Sequence, residues 1–423
     1  MKFAKSLFFL PALLLLVAYF LRLGTLPNQI LLVGCSFLII LVIMAIFLIR
    51  HFKKANGIGR KIIHLVCFIF VLPVLLLPLA GVFEQGIIPL VIYLMLSLIL
   101  SIYFIKMTDR APSFAAPNNY RNFVLLNLLL IIFNSPVQNV LPDVFYSPDF
   151  KAEHTQNGPK IYIDEGHNNL HTKDGLYTTF TNLLEKDGYD VCSFDKQFTA
   201  KTLKNIDLLV ISNALNEKNV NDWNGPVYSA FSKSEIKALK EWVNQGGALF
   251  FIADHMPFGA ASKDLASTFG FTFSEGSVIK TVNDGVDLFS RKRKTLVSNI
   301  ITDGRNASEF VDSIVTFTGQ AIEIPKEAHP ILLFNEEFAH YSPETRKNIK
   351  DVEAEAIVGL SQGAYMEFGT GRIVVFGEAA MFTGQLPAGL SFWKKIGMNS
   401  PKAKNNFKLL LNIVHWLDHK LEE

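Results

Sequence analysis

The residues of this chain that could do chemistry stand where apolar runs of sequence end. Asp254 and His255 follow the run 248–253, directly after Gly246 and Gly247. Six polar side chains share such a position and are the candidate ligand-binding residues: Asp164, His167, Asn213, Asp254, His255 and Glu378. If the runs are parallel strands, these side chains converge at the carboxyl edge of one sheet, where α/β proteins bind ligands.

Two kinds of chemistry suit this set. His255 or His167 could act as a general base near neutral pH, oriented by Asp254 or Asp164. His167, His255 and Asp254 could instead hold a divalent cation, since imidazole and carboxylate suit zinc or manganese. Against both, Asp and Asn after a strand commonly cap the next helix. Capping and turn roles therefore compete with ligation, for His167 above all.

The elements that would position these residues alternate between strands and helices. We predict strands at 160–163, 189–194, 208–212 and 248–253, and helices at 176–185 and 232–243. Ser232 with Glu235 three residues on forms a capping box at the start of the second helix. Further on, we predict strands at 314–318, 331–334 and 356–360, a hairpin from 364–368 and 372–376, and a closing helix at 405–417. Strands this apolar, separated by helices, indicate a parallel sheet covered on both faces.

The first 145 residues differ sharply, because they carry long apolar stretches of about the 20 residues that cross a bilayer. Five spans are predicted, at 5–23, 29–50, 61–82, 87–106 and 121–142. A linker at 146–159 and an α/β domain at 160–423 follow. The predicted fold class is therefore a multi-span α-helical membrane region followed by an α/β domain with a mostly parallel, doubly wound, flavodoxin-like sheet.

The basic loop from Arg50 to Lys61 favours the cytoplasmic side of a membrane by the positive-inside rule. With five spans, the α/β domain lies outside the cytoplasm, and with four it lies inside; the basic residues before Asn122 favour five. The predicted location is the bacterial inner membrane, with the lipid bilayer and a membrane or envelope protein as partners.

Several function classes are disfavoured by composition. The formal charge of +2 and scattered basic residues give no sign of nucleic-acid binding. Neither GxGxxG nor a P-loop occurs, so nucleotide binding has no motif. Cys35 and Cys67 fall in predicted spans, which leaves Cys192 unable to form a disulfide within the α/β domain.

The order of motifs in the second half resembles the class I glutamine amidotransferase-like superfamily. The matching segments are DEGHN (164–168), GYDV (188–191), DLLVI (207–211), FSKSE (231–235), WVNQGG (242–247), FIADH (251–255), RIVVFGE (372–378) and the closing 405–417. Within that superfamily, the chain is similar to an uncharacterised bacterial membrane-associated branch related to auxiliary domains of gliding and ABC-transport proteins. The similarity covers about residues 158–418.

This resemblance implies a fold but not an amidotransferase activity. Working members place a cysteine nucleophile in the turn after the strand that matches 248–253. Here, the turn from Ala253 to Met256 holds no Cys, Ser or Thr, so glutaminase activity should be absent. We therefore expect a membrane-anchored sensor or accessory protein that binds a small ligand or a partner. A metal-dependent or His/Asp-based hydrolase, and an auxiliary subunit of a transport assembly, are the alternatives.

Overall fold

The computed structural model describes residues 140–155, 158–223, 225–281, 287–342, 355–387 and 395–422. The chain divides into two compact units, one of residues 1–141 and 387–394 and one of residues 142–386 and 395–423. The described residues belong almost entirely to the second unit. Residues 142–159 are part of that unit, and Phe150 packs against its core.

Helices in the described part of the chain are mostly short. They are α1 (Thr178–Lys186), α2 (Ala200–Leu203), α3 (Lys233–Asn244), α4 (Phe258–Thr268), α5 (Ile300–Asp303) and α6 (Asn406–Leu417). The strands are β1 (Val140–Pro142), β2 (Lys160–Asp164), β3 (Asp190–Phe194), β4 (Leu208–Ser212), β5 (Ala248–Ile252), β6 (Thr272–Phe273), β7 (Ser277–Lys280), β8 (Asp287–Ser290), β9 (Ser313–Thr316), β10 (Ile322–Glu323), β11 (His329–Leu333), β12 (Phe338–Tyr341), β13 (Glu355–Ala356), β14 (Ser361–Phe368), β15 (Gly371–Phe376), β16 (Gly384–Pro387) and β17 (Ile396–Gly397).

One nine-stranded sheet organises the unit. Its strands run in the order β3-β2-β4-β5-β15-β14-β10-β6, and β11 also pairs with β14. The first five strands are parallel, with Ile252 of β5 in register with both Ser212 of β4 and Phe376 of β15. The carboxyl ends of β4, β5 and β15 are therefore level with one another.

Helices cover both faces of the parallel part of the sheet. Along β5, Phe250 belongs to one buried cluster with α1 and α6, while Phe251 belongs to another with α3 and α4. This alternation follows from the two-residue period of a strand. Because β4 and β5 are buried on both faces, their sequences are apolar except for Ser212 at the end of β4.

The start of α3 is fixed by the predicted capping box. The Ser232 hydroxyl accepts a hydrogen bond from the Glu235 backbone N–H, and the Glu235 carboxylate accepts one from the Ser232 N–H at 3.0 Å. These contacts satisfy backbone donors that a helix leaves without partners in its first turn. They also fix the Glu235 side chain beside the loop after β2.

The structure contradicts the predicted fold class in two respects. Within the described residues, no helix is long and apolar enough to cross a bilayer, contrary to the predicted membrane region, the membrane keywords and the inner-membrane location. The predicted spans lie outside the described residues except at 140–142, where the chain is strand β1 and not the end of a helix. An apolar run by itself does not distinguish a helix from a strand.

The sheet is also mixed and not mostly parallel. Four of its strand pairings are parallel, and four, involving β6, β10, β11, β14 and β15, are antiparallel. The predicted hairpin is present as β14 and β15, and it converts the parallel half into the antiparallel half. The predicted strand at 356–360 is wrong, because only Glu355–Ala356 is extended and a turn follows.

Candidate functional site

The six predicted residues separate into two clusters at the carboxyl edge. The first cluster, after β2, contains Asp164 and His167. The second, after β4, β5 and β15, contains Asn213, Asp254 and Glu378, with His255 beside it. In the sheet, β4 lies between β2 and β5. Neighbouring strands are about 4.8 Å apart, so residues after β2 and after β5 start from positions two strands apart.

In the first cluster, His167 is enclosed by carboxylates. Its Nδ1 lies 2.9 Å from Oδ1 of Asp164, and its Nε2 lies 3.1 Å from Oε1 of Glu235. Asn169 donates a further hydrogen bond to Asp164 at 3.0 Å. The imidazole stacks on Phe198, with ring centroids 4.5 Å apart. Because both ring nitrogens face carboxylates, His167 has no free nitrogen for a metal or a substrate proton.

The same contacts favour the positively charged form of His167. Burial alone would lower the pKa of the imidazole, but the hydrogen bonds and charges of Asp164 and Glu235 outweigh burial and raise the pKa above its usual value. For Glu235, burial opposes ionisation, and the hydrogen bonds from Ser232 and His167 reverse that effect and lower the pKa. This cluster is a buried ion pair that joins two elements.

The second cluster is built on backbone contacts to Asp254. The Asp254 N–H donates to Oδ1 of Asn213 at 2.8 Å. In turn, the Asp254 carboxylate accepts from the His255 N–H at 2.7 Å and from the Ala379 N–H at 3.3 Å. Glu378 precedes Ala379 and is fully buried, and its Oε2 accepts from the Met381 N–H at 2.8 Å. Asn213, Asp254 and Glu378 are thus brought together as predicted.

The two carboxyl groups of this cluster differ in their electrostatic surroundings. Burial, and then the charge of Asp254, raise the pKa of Glu378 well above its usual value. In the part of the chain that the structure describes, no Lys or Arg side chain forms a hydrogen bond or an ion pair with Asp254 or Glu378. We therefore assign the proton to Glu378 and the negative charge to Asp254, which is slightly exposed.

Three further side chains, which sequence reasoning missed, complete the site. Ser212 donates a hydrogen bond to the Tyr177 hydroxyl at 2.9 Å, and the His171 ring lies against the Tyr177 ring at 4.7 Å. Burial, and then the acidic groups of Glu378 and Asp254, raise the pKa of Tyr177. Burial lowers the pKa of His171 to about 3, so this histidine is neutral.

Three buried polar atoms of this site have no hydrogen-bond partner among the described residues. They are Nδ1 of His171, Nδ2 of Asn213 and Oε1 of Glu378. Buried polar groups in native proteins almost always have partners, and each exception needs an explanation. Asn213 is also held at φ 50°, a left-handed conformation that few residues other than glycine adopt. Such features concentrate at functional sites.

Gln320 supports the turn that carries Asp254. Its Nε2 donates to the carbonyls of Ala253 and Asp254 at 2.7 and 2.8 Å, and its Oε1 accepts from the Glu275 N–H. Gly259 lies directly beside the Gln320 side chain and leaves no room for a Cβ atom. No sequence signal predicts Gln320, because it lies in the irregular segment between β9 and β10.

Two predicted roles are not supported by the geometry. His255 does not receive its orientation from Asp254; its Nδ1 lies 2.8 Å from the Met256 carbonyl, and Asp254 contacts only its backbone. His167 contacts Asp164 and Glu235 and not His255. Within the described ranges, no group of three or more His, Cys, Asp or Glu is placed to hold a metal ion. The expected ligand set of His167, His255 and Asp254 is therefore not formed.

A separate cleft of about 870 Å³ opens at the amino edge of the parallel strands. Pro159, Asp207, Gly247, Trp242 and Asp418 are among its lining residues. None of the predicted site residues lines it, and none of its lining residues has an unpartnered buried polar atom. This cleft and the unsatisfied polar groups of the candidate site thus lie at opposite edges of the sheet.

No protein-family model matches this chain, and no characterised protein matches it in sequence. Similar solved structures include an mmIFT52 N-terminal domain, at 14% identity over 61% of this chain and 97% of that chain, with a TM-score of 0.44. A ThuA-like protein from Bacteroides uniformis is 14% identical over 64% of this chain and 94% of its own, with a TM-score of 0.35.

A protein named as a GMP synthase subunit, from Thermoplasma acidophilum, is 12% identical over 62% of this chain and 95% of its own, with a TM-score of 0.33. This protein and the ThuA-like protein have glutamine amidotransferase-like folds. Because each TM-score is below 0.5, these similarities carry no argument about this chain. The order and direction of its own strands establish its fold.

Proposed function

We propose that this domain binds a small, uncharged, hydrogen-bonding ligand at the carboxyl edge, beside Asp254. The observation that carries this proposal is the set of unpartnered buried atoms on His171, Asn213 and Glu378. An unsatisfied buried polar atom costs about 1–3 kcal/mol. Three such atoms at one edge of the sheet support a site whose hydrogen bonds are completed by a ligand.

The charge of the site selects the ligand class. Asp254 is negative, and no cationic side chain contacts it or Glu378 in the described part of the chain. A phosphate or carboxylate would meet repulsion from Asp254 in a poorly solvated place. An ammonium group has donors only, so it would leave Nδ2 of Asn213 and protonated Glu378 without an acceptor. A neutral ligand would find a donor in Nδ2 of Asn213, a donor in protonated Glu378 and an acceptor in Asp254.

Thermal unfolding of the full chain with small probes tests this proposal. We expect neutral probes, such as methyl pyranosides and acetamide, to raise the melting temperature, and inorganic phosphate and L-glutamate to leave it unchanged. The stabilisation should disappear in Asp254→Asn and persist in Asp418→Asn, a matched change in the amino-edge cleft. Stabilisation by the anions, or its loss only in Asp418→Asn, would overturn the proposal.

The absence of glutaminase activity is part of the same proposal. The turn after β5 offers no thiol or hydroxyl, which acyl transfer from glutamine requires. We expect ammonia release from L-glutamine to match that of a His255→Ala variant. The finer resemblance, to a branch related to auxiliary domains of gliding and ABC-transport proteins, supports an accessory role that the binding experiment does not address.

One observation favours hydrolysis as a second candidate. The bond between Nδ1 of His255 and the Met256 carbonyl places the ring proton on Nδ1, so Nε2 of this half-buried residue keeps a free lone pair. That nitrogen could remove a proton from an attacking water. Hydrolysis of nitrophenyl ester or glycoside probes that His255→Gln abolishes would support this candidate, whereas activity that persists in the variant would exclude it.

A further inference from the structure

Exposed apolar side chains gather at the same edge as the candidate site. Eight large apolar side chains of the described residues are exposed, and four of them lie on the loops after β2 and β4: Leu170, Val220, Trp223 and Tyr228. The two loops are joined, because the Leu170 N–H donates to the Asn213 carbonyl at 3.1 Å. This edge therefore combines an apolar rim with the polar floor at Asp254.

The loop that carries Trp223 is held in place by buried amides. Nδ2 of Asn219 donates to the carbonyls of Asp222 and Pro226, at 3.2 and 3.0 Å, and its Oδ1 accepts from the Tyr228 N–H at 2.9 Å. Asn216 donates to the Ser229 carbonyl at 2.8 Å. Hydrogen bonds to residues on both sides of Trp223 thus support the conformation in which its ring is exposed.

Trp223 stands beside the turn that carries Asp254. Its ring packs against Phe258, the first residue of α4, with centroids 5.3 Å apart. The Phe258 N–H donates to the carbonyl of His255 at 3.2 Å, and His255 directly follows Asp254. The indole remains 37% exposed. An exposed aromatic ring close to a turn that carries a carboxylate suits a ligand site, because such sites combine apolar walls with a few polar groups.

Three ligand classes could use an aromatic ring, and the charges discriminate between them. Nucleotides carry phosphates, which Asp254 repels. Organic cations would be drawn to the ring face, but Nζ of Lys218 already lies 4.4 Å from the Tyr228 ring centroid and places a positive charge on this loop. A sugar ring is neutral, offers an apolar C–H face to an indole and presents hydroxyls to carboxylate and amide groups.

We infer that the ligand of the carboxyl edge is a carbohydrate, whose pyranose ring stacks on Trp223 while its hydroxyls hydrogen bond at Asp254 and Asn213. This inference rests on the proposed function, because it names the ligand class of the same site. Trp223 is then a specificity-determining residue, and Asp254 is the acceptor at the floor of the site.

Titration calorimetry and tryptophan fluorescence of the full chain with methyl glucopyranoside, galactopyranoside and mannopyranoside test the inference. At least one should bind and change the fluorescence. Trp223→Ala should weaken that binding roughly tenfold, and Trp223→Phe should weaken it less because a ring remains. Trp242→Phe, in the amino-edge cleft, is the matched control and should bind normally. Trp223 is exposed, so its variants should keep the circular dichroism spectrum of the parent.

The outcomes separate this inference from the proposed function. If acetamide binds and Asp254→Asn abolishes that binding, but no pyranoside binds, the site is a neutral-ligand site and the carbohydrate inference is wrong. If a pyranoside binds equally well to Trp223→Ala and the parent, stacking on Trp223 is excluded. If pyranoside binding survives Asp254→Asn as well as Trp223→Ala, both proposals fail. Loss of binding in Trp223→Ala and Asp254→Asn, but not in Trp242→Phe, supports both.

Discussion

Nε2 of His167 lies 3.1 Å from Oε1 of Glu235, so the loop after β2 is tied to the first turn of α3. The other oxygen of Glu235 accepts from the Ser232 hydroxyl at 2.7 Å, and Asp164 accepts from the opposite side of the imidazole. One buried charged histidine therefore links the end of β2 to a helix cap. In sequence, His167 resembles a catalytic residue. In the structure, this link leaves it no free ring nitrogen.

Replacing His167 with Gln should destabilise the protein in a pH-dependent way. The pKa of His167 is raised on folding, so its contribution to stability is complete below about pH 6.5 and is lost as the pH rises through the folded value. Breaking a buried ion pair costs about 3–5 kcal/mol. Urea unfolding from pH 5.5 to 9 should show the largest difference from the parent at the acid end.

His329→Gln is the control for this measurement, because His329 is exposed on β11. The free energy of unfolding of this variant, plotted against pH, should run parallel to that of the parent protein. A parallel profile for His167→Gln as well would show that folding does not raise the pKa of His167, and the stabilisation of its charged form by Asp164 and Glu235 would then be wrong.

The conformation of Asn213 predicts an unusual order of substitution costs. Asn213→Gly loses the hydrogen bond from the Asp254 N–H but keeps the left-handed backbone without strain. Asn213→Ala loses the same bond and adds the strain of a Cβ atom at φ 50°, about 1 kcal/mol. The free energy of unfolding measured in urea should therefore be higher for Asn213→Gly than for Asn213→Ala.

Asn168 is the matched control, since it is also held at a left-handed φ, of 49°, but lies in the loop after β2, directly after His167. The Gly and Ala variants of Asn168 should show the same order without affecting ligand binding. If Asn213→Ala proves as stable as Asn213→Gly, the left-handed backbone at this residue is not maintained in solution.

Gly259 and Gln320 should behave as a coupled pair. A methyl group at residue 259 would displace the Gln320 side chain, which holds the carbonyls of Ala253 and Asp254. We expect Gly259→Ala to cost roughly 1–3 kcal/mol in thermal or urea unfolding. In a Gln320→Ala background, the same change should cost much less, because the obstructing side chain is gone. Equal costs in both backgrounds would contradict the contact.

The sequence predicted the parallel strands well because each is a local pattern. β4 and β5 are short apolar runs between turn signals, and their positions required no knowledge of the rest of the chain. Convergence of Asn213, Asp254 and Glu378 followed from strand ends alone. By contrast, β6 and β10 are two residues long and exist only through pairing with distant strands, so no local pattern indicates them.

The errors in the predicted site have one geometric cause. Strand order cannot be read from sequence order, and here β4 lies between β2 and β5, which separates His167 from His255. The predicted orientation of the His255 ring by Asp254 is wrong for another reason. The two residues are neighbours in a turn, yet the Asp254 carboxylate contacts the backbone of His255 and not its ring. His171 and Tyr177 gave only the signal that they follow β2, at the edge where ligands bind.

Glu378→Gln should make the protein more stable at alkaline pH. Because the pKa of Glu378 is raised on folding, the parent loses stability as the pH rises from the usual value of 4.5 towards the folded one. Glutamine keeps the shape and cannot ionise, so the variant should lose less stability between pH 5 and 9 in thermal unfolding. Glu336→Gln, at an exposed residue, should leave the slope unchanged. If Glu378→Gln also leaves the slope of stability against pH unchanged, the pKa of Glu378 is not raised on folding. Glu378 is then charged as well as Asp254, and the assignment of a single negative charge to the site is wrong.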